Sequence, residues 1–160
     1  MSLRIEIRIV DQILELFDGR QCIKHYMVST ARNGPGERQG SFCTPRGQHI
    51  VRAKIGANAP VNTVFVGRRA SGEIYTPELA ERFPGRDWIL TRILWLSGCQ
   101  VGFNRLGDVD TMRRYIYIHG SPDQVAMGSP GSIGCIRMRN ADIVELYDRV
   151  PAGTSVLILG

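Results

Sequence analysis

A run of strictly alternating residues near the amino terminus narrows the folds open to this chain. Between residues 4 and 10, isoleucine occupies every second position and charged residues lie between them, which predicts a half-buried β-strand. Asp18-Gly19 is a typical hairpin sequence, so the second and third strands are expected to pair. Comparable short segments predict further strands, over residues 12–17, 21–29, 48–55, 61–66, 91–96, 114–118 and 154–159. This pattern favours a mostly β fold, a sandwich or a barrel, with one or two short helices.

The first of these helices is predicted within the charged segment at residues 68–88. Thr76 is a favourable N-cap, Pro77 suits the first helical position, and Phe83-Pro84-Gly85 ends the helix. Two interpretations of the whole segment stay open: a plain surface connection, or a flap over a functional site.

The second helix is predicted near the carboxyl terminus. Asn140 is its expected N-cap, Asp142 suits the positive end of the helix dipole, and Pro151 ends it. Its apolar residues share one face: Ile143, Leu146, Tyr147 and Val150.

Length and charge bound the organisation and the partners. The 160 residues predict a single domain, 1–160, and a net charge of +5 suits an anionic partner such as nucleic acid or a cell-wall polymer. The basic residues are mostly scattered arginines without interleaved aromatics, so we predict no nucleic-acid binding. No apolar run is long enough to span a membrane.

The stretch from Tyr115 to Asn140 carries the chemistry. His119 closes an alternating strand, and Cys135 follows sixteen positions later, after a loop rich in glycine and proline. A thiol and an imidazole at the two ends of a folded loop suggest a nucleophile and its base, with the imidazole lowering the thiol pKa. The N–H groups of Gly134 and Cys135 are candidate oxyanion donors. The alternatives are a small buried cysteine and a structural histidine.

The other cysteines, at positions 22, 43 and 99, have no paired spacing, and we expect all four thiols to be reduced. Cys22 and His25 lie three positions apart on a predicted strand and so face opposite ways, which argues against a zinc site. We predict neither a metal nor a cofactor.

His119-Gly120, followed by Ser-Ile-Gly-Cys-Ile-Arg-Met-Arg-Asn at 132–140, resembles the signature of the YkuD-type L,D-transpeptidases, cysteine enzymes that cross-link bacterial peptidoglycan. Val28-Ser29-Thr30 and Thr44-Pro45-Arg46-Gly47 are similar to the family's early strand and turn. The resemblance covers residues 4–159. One position departs from it, because Ile133 stands where the family most often has a second histidine.

The resemblance implies acyl transfer through a thioester. Cys135 attacks the carbonyl of the diamino acid at position three of a peptidoglycan tetrapeptide, and the terminal D-alanine leaves. His119 takes the thiol proton and returns it to the leaving amine, and the Gly120 carbonyl orients His119. Arg137 is interpreted either as a ligand for a substrate carboxylate or as a structural salt bridge.

The remaining motif residues shape the site. Ser132 and Asn140 are expected to hold the loop, and Ile133 to present an apolar wall that disfavours water and so favours transfer to an amine. The rival functions are an L,D-carboxypeptidase that transfers to water, a peptidoglycan-binding module without activity, and a nucleic-acid binder. Carbapenem-type β-lactams are the expected inhibitors.

Residues 1–3 lead straight into the first strand without an apolar leader segment. Because the family acts outside the inner membrane, the resemblance implies the periplasm or cell envelope. A leader removed from this sequence, another export route and a cytosolic location stay open.

Overall fold

The computed structural model describes residues 2–160, and within them it contains ten β-strands, two α-helices and one short 3-10 helix. The strands are β1 (Leu3–Arg8), β2 (Ile13–Asp18), β3 (Gln21–Met27), β4 (Gly47–Ile55), β5 (Thr63–Val66), β6 (Arg69–Ile74), β7 (Leu90–Gly98), β8 (Tyr117–Ser121), β9 (Ile136–Arg139) and β10 (Ser155–Leu159). The helices are α1 (Pro77–Arg82), α2 (Asn140–Arg149) and the 3-10 helix Gly107–Val109. The predicted mostly β fold with two short helices is confirmed.

All ten strands join one curled sheet that forms a half-barrel. Its order is β3-β2-β1-β10-β4-β7-β5-β6, and β8 also pairs with β7 while β9 pairs with β8. The β1–β10 and β8–β9 pairs are parallel, and the other pairs are antiparallel. The predicted hairpin at Asp18-Gly19 joins β2 to β3. The strand β7 supports the parallel β8–β9 pair, and β8 contains His119.

The alternation read from the sequence places the first strands on the core. Ile5 and Ile7 of β1 are fully buried, as are Leu14 and Leu16 of β2, and α2 covers the same core. Each buried aliphatic side chain of this kind stabilises the fold by roughly 1.5–3 kcal/mol. The first two strands are therefore anchored on the main core of the fold.

The strand β8 is buried on both faces, whereas β9 is fully buried only at Ile136 and Met138. Ile118, Ile136 and Met138 face the main core under α2. Tyr117 and Cys135 face a second apolar cluster on the opposite side, with Phe65 and Ile93 as its other buried members. Successive side chains on a strand point to opposite faces, so the second side of this sheet is where candidate functional groups gather.

The charged segment at 68–88 contains a strand that the sequence pattern did not predict. Residues 69–74 form β6, which pairs with β5 as a hairpin. Because β6 is exposed along nearly its whole length, it has no apolar alternation to reveal it, and pairing with β5 alone defines it. The helix α1 follows as predicted, with the Thr76 hydroxyl accepting a hydrogen bond from Leu79 N at 3.1 Å.

The prediction that Asn140 caps α2 is wrong. Arg139 is the N-cap and makes no side-chain capping bond, and Asn140 is the first helical residue. The Asn140 side chain is buried, where it accepts from Thr91 Oγ1 at 2.6 Å and donates to Asn62 Oδ1 at 2.8 Å. The Asn140 side chain thus bonds to residues from distant segments instead of capping its own helix.

Candidate active site

The parallel pairing of β8 with β9 brings the predicted pair to one face of the sheet. His119 lies opposite Arg137, and Ile118 lies opposite Ile136. Side chains two positions apart on a strand share a face, so Cys135, two before Arg137, lies on the His119 side. The predicted strand at 114–118 is displaced in the structure: β8 begins at Tyr117, and His119 occupies its centre rather than its end.

The cysteine loop is held by two segments from the first third of the chain. The Thr30 carbonyl accepts hydrogen bonds from Gly131 N and Ser132 N, both at 2.9 Å. Thr44, from the Thr-Pro-x-Gly turn, donates from Oγ1 to the Gly134 carbonyl at 2.8 Å. The early sequence motifs therefore act on the site by fixing the backbone that carries Cys135.

Gly134 is required by its backbone conformation. Its φ of 138° lies in the region that favours glycine, and an added Cβ would come within 3.1 Å of Ile116 Cδ1. Its N–H, predicted as an oxyanion donor, instead donates to Ser132 Oγ at 3.1 Å, and that hydroxyl donates to the Cys135 carbonyl at 2.6 Å. The Cys135 N–H has no acceptor among residues 2–160, so it is the donor open to a developing oxyanion.

The Cys135 side chain contacts two backbone groups of the segment that leads into β8. Its Sγ accepts from Tyr117 N at 3.3 Å and donates to the Tyr115 carbonyl at 3.4 Å. Burial raises the thiol pKa to about 12, because the low-dielectric surroundings disfavour the thiolate. The expectation that the imidazole lowers this pKa is therefore not met.

His119 is fully buried and neutral. Its Nδ1 lies 2.6 Å from the Gly120 carbonyl, which places the ring proton on Nδ1 and leaves a lone pair on Nε2. Burial lowers the pKa of the imidazole. Nε2 has no hydrogen-bond partner among the described residues, and it is not hydrogen-bonded to Cys135. A buried acceptor without a donor costs about 1–3 kcal/mol, and the thiol proton is the donor that it lacks here.

A polar cluster behind Gly120 positions this carbonyl, and sequence reasoning missed its role. Thr91 adopts a φ of 76°, which is rare for a β-branched residue, and its hydroxyl donates to Asn140 Oδ1. An added Cβ at Gly120 would lie 2.5 Å from that same Oδ1 and 2.6 Å from the Leu90 carbonyl. Only a glycine fits between β7 and α2, so the His119-Gly120 dipeptide is a packing requirement.

Two cavities meet at Ile133. One, of about 520 Å³, is lined by Cys135 together with Tyr115 and Tyr117. The other, of about 460 Å³, is lined by Arg137 and Ser132, and Ile133 and Asp87 line both. Ile133 is 57% exposed, so an apolar side chain is presented to both spaces.

This arrangement is a thiol at the wall of a cavity and a fully buried, unpartnered imidazole on the same face of the sheet. The L,D-transpeptidase catalytic domain, YkuD, matches residues 2–158. The chain belongs to the YkuD family. The family predicted from the His119 and Cys135 motifs is thereby confirmed over nearly the whole chain.

Individual YkuD relatives agree with this result. YqjB of Bacillus subtilis is 41% identical over 58 residues, which are 36% of this chain and 31% of YqjB. The fold is similar to that of the Enterococcus faecium L,D-transpeptidase C442S mutant, with a TM-score of 0.60 and 16% identity over 99% of this chain and 50% of that one. It is also similar to L,D-transpeptidase 3 of Mycobacterium tuberculosis in complex with a faropenem-derived adduct. The TM-score is 0.59 and the identity is 15%, over 99% of this chain and 60% of that one. The chain thus spans about half the length of these solved structures, and its match to YqjB covers about a third of that protein.

Three arginines around the YkuD site are held in different ways. Arg137 donates to Asp87 Oδ1 at 2.9 Å and to the Gly131 carbonyl at 3.1 Å, which matches the structural alternative. Arg114 donates to the Cys43 carbonyl at 2.6 Å and holds that loop. Arg68 also reaches the Cys135 cavity, from the β5–β6 turn, and no sequence spacing relates it to the motif.

Within residues 2–160, no cluster of three histidine, cysteine or acidic side chains has the arrangement of a metal site. All four cysteines are free thiols. No helix in the same range has the length and apolar character needed to cross a membrane.

Proposed function

We propose that this chain is an active L,D-transpeptidase that acts on peptidoglycan tetrapeptides through a thioester on Cys135. The observation that supports this most is the pairing of a neutral, cavity-facing thiol with a buried imidazole whose Nε2 lone pair has no partner. Membership of the YkuD family supports the same substrate class.

In the acylation step, the Cys135 thiol leaves the Tyr115 carbonyl and gives its proton to His119 Nε2. The sulfur then forms a bond to the carbonyl carbon of the diamino acid at position three, and the Cys135 N–H stabilises the oxyanion. The carbon–nitrogen bond breaks, His119 returns the proton to the nitrogen, and D-alanine leaves. The Gly120 carbonyl stabilises the imidazolium that forms in between, because it accepts from Nδ1 at 2.6 Å.

In the second step, an acceptor amine attacks the thioester carbon. His119 takes a proton from the amine and returns it to the departing sulfur, so the thiol is regenerated. The exposed apolar side chain of Ile133 supports an amine acceptor over water, because it lines both cavities and offers water no hydrogen bond. Transfer to water by the same chemistry gives the carboxypeptidase.

The test is to incubate the purified protein with a disaccharide tetrapeptide and to identify products by mass spectrometry. A cross-linked dimer and free D-alanine are expected. A tripeptide as the main product identifies a carboxypeptidase, and unchanged substrate identifies a binding module. Cys135→Ala must abolish both products, and products that persist in it would contradict the thioester route.

β-Lactam acylation gives an independent readout of the nucleophile. A carbapenem should add one adduct mass to the protein, and Cys135→Ala should lose it. Substitution of Cys22, Cys43 or Cys99 should leave the adduct in place, since none of these thiols lines the two cavities at Ile133. We also propose that the protein works in the cell envelope, where its substrate is found, and fractionation of the native organism tests this.

A further inference from the structure

Arg68 is a preorganised cation in the Cys135 cavity. It lies in the turn between β5 and β6, and its guanidinium carbon is 4.6 Å from the centre of the Tyr115 ring and 4.9 Å from that of Trp95. Its Nη1 donates to Tyr117 Oη at 3.0 Å. Three aromatic side chains therefore fix a group that would otherwise be mobile, and the entropy cost of ordering it is met before any ligand binds.

The charge of Arg68 is not neutralised by the protein. Among residues 2–160, none of the salt bridges includes Arg68 or Arg114, the two arginines that line this cavity. Asp87, the one acidic residue in the lining, is paired with Arg137 at 2.9 Å. The cavity wall thus carries an excess of positive charge beside the thiol.

Tyr117 sets the separation between Arg68 and the nucleophile. Its backbone N–H donates to Cys135 Sγ at 3.3 Å, and its phenol oxygen accepts from Arg68 at 3.0 Å. The guanidinium therefore contacts Tyr117 at the opposite end of the residue from the sulfur, and both groups line the same cavity. A substrate carbonyl at the sulfur places groups several bonds along its side chain within reach of Arg68.

We propose that Arg68, held by Trp95, Tyr115 and Tyr117, is the carboxylate-binding group of this site. This inference rests on the proposed function for the identity of the substrate. Arg68 takes the role that the sequence suggested for Arg137, whose guanidinium is already engaged by Asp87 and the Gly131 carbonyl. Its ligand is a free carboxylate of the stem peptide, which its remaining N–H groups match in geometry.

Two carboxylates of the donor are candidates. The carboxylate of the leaving D-alanine is only one residue from the attacked carbonyl, whereas a carboxylate at the far end of the diamino acid side chain is several bonds away. We favour the second source, because Arg68 contacts the phenol end of Tyr117 whereas the sulfur contacts its backbone N–H. The binding site is thus expected to distinguish diamino acids that carry a distal carboxylate from those that do not.

The experiment measures equilibrium binding by calorimetry in Cys135→Ala, which cannot turn over. Three tetrapeptides are compared: one with meso-diaminopimelate at position three, one with its distal carboxylate amidated, and one with the D-alanine carboxylate amidated. Amidation of the distal carboxylate should weaken binding roughly ten- to a hundredfold, as expected for loss of a charge-assisted hydrogen bond. Amidation of D-alanine should have a much smaller effect.

The same ligands are then tested with Arg68→Gln, Arg68→Lys and Arg20→Gln, each in the Cys135→Ala background. Arg68→Gln should bind the free and the distally amidated peptide equally, and Arg68→Lys should retain part of the preference. Arg20 is exposed at the β2–β3 turn, at the opposite end of the sheet order, so Arg20→Gln controls for the change in net charge. Thermal unfolding checks that each variant is folded. If Arg68→Gln does not fold, the comparison is made with Arg68→Lys.

An unchanged preference for the free carboxylate in both Arg68 variants would overturn the proposal. Loss of a preference for the D-alanine carboxylate in Arg68→Gln would support the carboxylate site and assign it to the other source. Failure of the proposed function is separable, because it appears as absent D-alanine release in the unsubstituted protein, whereas the carboxylate preference is read from binding alone.

Discussion

The neutral state of the thiol and imidazole makes a sharp prediction for His119→Gln. With the Cys135 pKa raised to about 12, only about one molecule in 10⁵ carries a thiolate at pH 7. Removing His119 should therefore leave the thiolate content unchanged. The acylation rate should nevertheless fall by roughly 10²–10⁴, the usual contribution of a general base, which is about 3–5 kcal/mol in the barrier.

The assay uses a protein in which Cys22, Cys43 and Cys99 are replaced by serine, so that Cys135 is the one thiol that absorbs as a thiolate. Ultraviolet absorbance is titrated with pH in this protein and in its His119→Gln derivative. Carbapenem acylation is followed in both by mass spectrometry. His49→Gln is the matched control, because His49 is also buried but both of its ring nitrogens have partners, the Gly47 carbonyl and Thr111 Oγ1.

The pH dependence of acylation gives a second check on the same reasoning. Burial lowers the pKa of His119, so the acidic limb of the rate profile should have its midpoint below the usual value of 6.5. A thiolate signal at pH 7 that disappears in His119→Gln would show an ion pair and refute the neutral-pair account. So would an acidic midpoint above 6.5.

Three further predictions follow from the same structure. Ile133→His should shift products from cross-linked dimer toward tripeptide in the tetrapeptide assay, and an unchanged ratio would make Ile133 a packing choice only. Hydrogen exchange over residues 68–88 should slow when Cys135 is acylated if this segment acts as a flap, since Arg68 and Asp87 line the cavity, and equal exchange would return it to a plain surface connection. Burial lowers the pKa of His49 to about 4, so as pH falls the unfolded chain binds a proton at this residue before the folded chain does. The contribution of His49 to the free energy of unfolding is complete above pH 6.5 and should decline by ~3 kcal/mol toward pH 4. Denaturant unfolding at several pH values should show a smaller decline in His49→Gln.

Local patterns predicted most of the strands and both helices. The alternation around Ile5 and Ile7 was sufficient for β1, because a half-buried strand must repeat every two residues. The exposed strand β6 has no such repeat, and its existence depends on backbone pairing with β5. Asn140 looked like a cap from its neighbours alone, but its partners Thr91 and Asn62 lie far away in the chain.

Some features of the candidate site could be predicted from the sequence, and others depended on the fold. The motif predicted that a folded loop brings His119 and Cys135 together. The pairing of β8 with β9 put them on one face, and the structure showed how little room a side chain would have at Gly120 and Gly134. The protonation state could not be predicted, because desolvation depends on everything packed around the pair. The expected thiolate gave way to a neutral thiol for this reason.

By itself, then, the sequence determined the chemical groups of the site: a thiol, an imidazole and the glycines beside them. The pairing of β8 with β9 put the thiol and the imidazole on one face. Tertiary structure alone decided which arginine is free. Arg137 sits in the motif, yet the fold brings Asp87 to it, while Arg68 arrives from a turn with no motif and is held by Trp95, Tyr115 and Tyr117. The physical reason is that charge pairing and burial are properties of neighbours in space, and those neighbours come from segments that are distant along the chain.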